Sequence, residues 1–134
     1  MSSLWSFNDD WSVEVKTHTT DDRVDGVLCT DGLLLIRFNG EVLSSRDVEA
    51  NVRVRRVLVG DETDVYCLID IRGTRAIESE TRRQPINPRN KKVAVVYDSP
   101  VGRMIALAFQ AQTQPECEFE VFTGLPGALE WLRT

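Results

Sequence analysis

The sequence predicts a mixed α/β fold: antiparallel β-hairpins at the N-terminus, then a βαβαβα succession with helices packed on the sheet. Three observations predict it. The first third alternates apolar and polar residues and carries Asp31-Gly32 between two apolar runs, the pair that suits a tight hairpin turn. "VYCLIDI" (65–71) and "KVAVVYD" (92–98) are continuous apolar runs, as expected of strands covered on both faces. Helical patterns follow both, and strands separated by helices imply parallel neighbours joined by right-handed crossovers.

Each element has its own signal. Trp11, Val13 and Val15 alternate with Ser12, Glu14 and Lys16, the period of a half-buried strand. "VLCTDGLLLIRF" supplies the hairpin, and Asn39-Gly40 marks the next turn. From Ser44 the pattern becomes helical: Ser44 or Ser45 serves as N-cap, Asp47 and Glu49 lie in the first turn, and Gly60 follows the end. The β-branched Val52, Val54 and Val57 oppose that helix without outweighing its start and stop signals. "ESETRRQPINPRN" begins as a helix and is stopped by Pro85 and Pro88.

"SPVGRMIALAFQAQT" is the clearest helix. Ser99 is its N-cap and Pro100 occupies the first helical position, where a missing N–H does no harm. Val101, Met104, Ile105 and Ala108 form its central apolar stripe, with Leu107 and Phe109 on the flanks. That arc is wider than one sheet contact needs, so a neighbouring helix or a second subunit is expected to cover the excess. "CEFEVF" is a last strand. Thr123 is expected to cap "GLPGALEWLR", whose Leu125, Ala128, Leu129 and Leu132 share a face with Trp131 at its edge.

The 134 residues, 42% hydrophobic and 28% charged, suit one domain spanning 1–134. A net charge of −5 argues against a nucleic-acid partner, which needs a basic face. The run "RVRR" (53–56) reads as a solvated helix face rather than an anion site, offset by Asp61, Glu62 and Asp64. The longest apolar run, "LLLI", is far short of a membrane span, and the N-terminus has no signal-peptide pattern, so a cytoplasmic protein is expected. Cys29, Cys67 and Cys117 are widely spaced and read as small buried thiols. His18 is the only histidine and reads as a surface residue on a threonine-rich strand. No metal spacing, phosphate loop or cofactor motif is present, and no nucleophile–base pair stands out; an enzyme is not expected.

Three blocks, "LIDIRGTRAI", "AVVYDSPVGRMIALAF" and "FTGLPGALEWL", give the chain a family likeness. From about Trp11 to Arg133 it resembles the STAS/SpoIIAA-like class, and within it the small bacterial STAS/SEC14 domain-containing proteins. The resemblance implies a SpoIIAA/STAS-like mixed sheet and a regulatory or protein-interaction role, with a SEC14-like small-molecule or lipid carrier as the alternative. The first block resembles the STAS switch segment, in which a strand ending in Asp and a Gly lead to Asp-Ser-Ser-Gly at a helix start. Here Asp70 and Gly73 are kept, Glu78 stands for the Asp and Ser79 for the first Ser. Glu80 replaces the second Ser, the one that kinases phosphorylate in classical relatives, and Thr81 replaces the Gly. A kinase-driven switch of that kind is therefore not implied, since a carboxylate carries less charge and fewer acceptors than a phosphate.

Ligands of open α/β sheets gather at the carboxyl ends of parallel strands. That rule selects a rim of Asp70, Arg72, Thr74, Glu78, Ser79, Glu80, Asp98, Ser99 and Arg103. Structural duties compete for the same residues: Ser79 and Ser99 as N-caps, the acids as helix-dipole partners, Arg103 as the ion-pair partner of Asp98 or Asp70. Met104, Leu107 and Phe109 are the candidate dimer or cavity face, the cavity version adding Trp131. A protein partner or a homodimer is thus expected, with a lipid or small ligand as the alternative and no cofactor.

Overall fold

The computed structural model describes residues 13–84 and 87–134. Trp5, Phe7 and Trp11 lie outside them, as does the helix stop at Pro85. Strand β1 (Val15–Thr20) pairs antiparallel with β2 (Val24–Cys29), and β2 with β3 (Leu34–Phe38). The β2–β3 turn is the one expected at Asp31-Gly32; Gly32 takes φ +93°, a conformation that disfavours any side chain. After β4 (Val42–Leu43) comes helix α1 (Ser45–Leu58), with Ser44 in the N-cap position. The Asp47 carboxylate accepts from the Ser44 N–H at 2.7 Å and from its hydroxyl at 2.9 Å. The valines did not prevent the helix, because Val54 and Leu58 bury one face of it against the sheet.

The remaining elements are β5 (Val65–Asp70), β6 (Ala76–Ile77), α2 (Ser79–Arg82), β7 (Asn90–Val96), α3 (Pro100–Ala111), β8 (Glu118–Phe122) and α4 (Leu125–Leu132). Among the described residues the main sheet has the order β1-β2-β3-β5-β7-β8, antiparallel over its first three strands and parallel thereafter. The two-residue strands β4 and β6 form a separate parallel ribbon. Alternate residues of the central strands feed opposite cores. Ile36, Cys67, Ile69, Val93 and Val95 pack under α1 and α3. Leu35, Leu68, Ala94 and Val96 pack under α4, through Leu125, Ala128, Leu129 and Leu132, the face expected of that helix. Trp131 sits at its edge beside Phe122, with the Lys92 ammonium 4.6 Å from its ring centroid.

Four local expectations are corrected. The N-cap of α2 is Glu78 rather than Ser79, and that of α4 is Gly124 rather than Thr123; neither has a side-chain cap bond. Helix α3 buries Gly102, Ile105, Ala106 and Phe109, leaving Val101 and Met104 exposed. Small residues decide this rotation. A Cβ on Gly102 would lie 3.1 Å from the Tyr97 Cβ and 3.2 Å from the Ser99 Oγ, so the glycine edge is the one that approaches most closely. Finally, "RVRR" is not wholly solvated. Arg53 pairs with Asp21 and Arg56 with Asp61 at the surface, but Arg55 turns inward and is only 5% exposed.

Candidate functional site

Strands β5 and β7 are parallel neighbours, with Asp70 opposite Val96 in register, so their carboxyl ends open on one rim. Asp70 ends β5 and is 1% exposed. Its carboxylate accepts from the backbone N–H of Arg72 at 3.0 Å, from Arg72 Nε at 3.0 Å and from Arg72 Nη2 at 2.9 Å. Arg37, its register partner on β3, adds a bond from Nε at 3.3 Å. A buried carboxylate needs such pairing, and the turn 70–73, with Gly73 at φ +94°, folds Arg72 back onto it.

Asp98 follows β7 and closes the rim. Its Oδ1 accepts from the Gly73 N–H at 3.1 Å and from Arg75 Nη1 at 2.9 Å. The Gly73 N–H, followed by Arg75, holds its carboxyl below the usual aspartate range. The two aspartates thus share one margin, tied through the 72–75 turn. Ser99 is an N-cap, its Oγ accepting from the Gly102 N–H at 2.9 Å. Thr74 is buried, and its hydroxyl has no partner among the described residues.

Not every expected rim residue joins this cluster. Glu78, the N-cap of α2, and Ser79 and Glu80 in its first turn are exposed beyond the β6 ribbon, and their side chains make no hydrogen bond among the described residues. Arg103 is exposed on α3 and pairs with neither Asp70 nor Asp98, because Arg37, Arg72 and Arg75 have taken those places. Arg37 and Arg75 were missed in the sequence. The available signal for Arg37 was a charge inside an otherwise apolar strand.

Of the candidate dimer or cavity face, Met104 is 70% exposed, Leu107 half-buried and Phe109 buried. Phe109 does line a cavity, of about 360 Å³, between α1, the sheet and the segment after α2. Met104 and Trp131 are not among its walls. Phe38, Leu43, Val52 and Ile69 are, with Arg55, Thr81 and Asn90. Among the described residues no helix is long and apolar enough to cross a membrane, and no group of three or more His, Cys, Asp or Glu is arranged to hold a metal ion.

Hairpins leading into parallel strands, with a rim where β5 and β7 end, define an α/β domain with a SpoIIAA-like fold. The chain belongs to the family described as a domain of unknown function, DUF7793, whose model matches residues 27–134. It is similar in structure to an uncharacterised protein of the DUF3478 family with a SpoIIAA-like fold from Shewanella loihica PV-4. The likeness covers 87% of this chain and 90% of that one at 19% identity, with a TM-score of 0.54, and it carries the fold alone. No curated protein matches the sequence.

Proposed function

We propose that this chain is a non-enzymatic regulatory module that docks a protein partner on the outer face of α3, beside the Asp70–Asp98 rim. The observation that carries the reading is Met104, 70% exposed, with Val101 42% exposed one turn before it. Covering an apolar side chain of that size is worth about 1.5–3 kcal/mol. Arg103 is the only charged residue on α3, so the partner surface pairs apolar residues with Asp or Glu. An external protein is favoured over a homodimer because a second α3 crossing at Met104 brings Arg103 against its own copy. The rim's chemistry supports binding rather than proton transfer: Asp70 is committed to two arginines, and Asp98 is held charged. Burial pushes the Cys29 and Cys67 thiols up to about 12, away from the thiolate a nucleophile needs. Three free cysteines suit a reducing, cytoplasmic setting.

The test is capture from the native host with the wild type, Met104→Glu, Arg103→Glu and Ser79→Ala. A protein retained by wild type and Ser79→Ala and lost by the two α3 variants is the expected result. Capture indifferent to Met104→Glu moves the docking surface elsewhere, and a dimer in light scattering that Met104→Glu splits replaces the external partner with a second copy.

A second reading, a small-molecule or lipid carrier, is favoured by the Phe109 cavity, which falls in the size range of small-ligand pockets.

A further inference from the structure

Arg55 is the unusual group in that cavity. It lies on α1 with its head turned into the core, and its partners are neutral: Nη1 donates to Asn90 Oδ1 at 2.6 Å and Nη2 to the Thr63 carbonyl at 3.3 Å. Its Nε–H has no acceptor among the described residues. The other arginines with ion pairs on β3, α1 and the rim each have a carboxylate within 4 Å; Arg55 has none among the described residues. Burial pulls its pKa below the usual guanidinium value, yet a guanidinium stays protonated in proteins. Asp61 and Asp64 act on it only from a distance, paired to Arg56 and Arg89; a buried cation with no carboxylate in contact is costly, and natural sequences keep one where something compensates it. Thr81, fully buried on the same cavity, is a second orphan: its hydroxyl has no partner among the described residues. The rest of the wall joins an aliphatic and aromatic part, Phe38, Leu43, Val52, Ile69 and Phe109, to the neutral amides of Asn51, Gln84, Asn87 and Asn90.

We propose that this cavity binds an apolar monocarboxylate, its carboxylate on Arg55 and Thr81 and its hydrocarbon part against the Phe38–Phe109 wall. The inference rests on the carrier reading above and is independent of docking on α3. The stoichiometry of charge selects the anion. One guanidinium neutralises one carboxylate, and its free Nε–H with a remaining Nη–H forms the planar fork that a carboxylate matches. A phosphate dianion would leave a net charge buried, since the other lining residues are apolar or neutral amides.

The experiment titrates the whole chain with decanoate, decanol and inorganic phosphate. Binding is followed by calorimetry and by the Nε–H resonance of Arg55 in nitrogen-15 NMR. Decanoate is expected to saturate at one equivalent, to move the Arg55 resonance, and to bind about ten- to a hundredfold more tightly than decanol. Arg55→Met is expected to erase that preference while leaving decanol binding intact, and Thr81→Val to weaken decanoate several-fold. Should Arg55→Met fail to fold, the decanoate–decanol comparison on the wild type and the Thr81→Val variant still decide. Equal affinity for decanoate and decanol overturns the anion site while sparing the carrier reading. No saturable binding of either overturns both, leaving a cavity filled by water. Displacement of decanoate by inorganic phosphate overturns the carboxylate assignment.

Discussion

Gly26 on β2 fixes how closely α1 lies on the sheet, and Gly26→Ala tests that packing. A Cβ at this position would overlap the Val54 Cγ1 and lie 2.8 Å from the Leu58 Cδ1, both on α1. Reaching ordinary contact requires α1 to retreat by about 1 Å. Overpacking of this kind costs about 1–3 kcal/mol. Gly26 is not in the left-handed region, so alanine returns about 0.4–1 kcal/mol by restricting the unfolded chain. The net expectation is a loss of about 1–2 kcal/mol. In urea unfolding this is a midpoint lowered by about 0.5–1 M, with unchanged slope. Because Val54 is the nearest obstacle, the cost should shrink by about 1 kcal/mol in a Val54→Ala background. A neutral or stabilising Gly26→Ala, or strict additivity with Val54→Ala, would refute the close packing of α1 on β2.

Three further outcomes follow from the same packing and hydrogen bonds. The folded pKa of Asp98 lies below its unfolded value, so its carboxylate contributes stability above the unfolded value and loses it as pH falls through the folded one. Asp98→Asn should therefore be less stable than wild type at neutral pH, the gap closing in strong acid; chemical unfolding across that range reads it, and a gap that widens on acidification contradicts the assignment. Ser99→Ala removes the cap on Gly102 and should cost about 1 kcal/mol, roughly 4 °C in melting temperature, with Ser99→Asp restoring most of it. In thiol labelling of the native protein, Cys117 should react first; Cys29 and Cys67, almost fully buried, should react only after unfolding.

The sequence carried those parts of the fold that depend on local periodicity. The Asp31-Gly32 hairpin, the two central parallel strands and the buried face of α4 are where apolar patterning puts them. The adjacency of Asp70 and Asp98 followed from treating those strands as neighbours. What was illegible depends on contacts distant in sequence. The β4–β6 ribbon has two residues per strand, too short for any periodic signal. The rotation of α3 was misjudged because hydrophobicity favours burying Met104, whereas close approach favours Gly102 and Ala106. Arg55 sits among exposed arginines with the same local signature, and only the closing of Asn90 and Thr63 around it distinguishes it. Asp70 drew its second partner from β3, which no spacing within 70–80 announces.

The most direct test of the docking account is site-specific photo-cross-linking in the native host, with a photoreactive residue replacing Met104 and, as a control, Val57, an equally exposed apolar position on α1 at 71% exposure. The account predicts a product from position 104 alone, joined to a foreign peptide that carries apolar residues beside Asp or Glu. Equal products from positions 104 and 57, or none from 104, would contradict it.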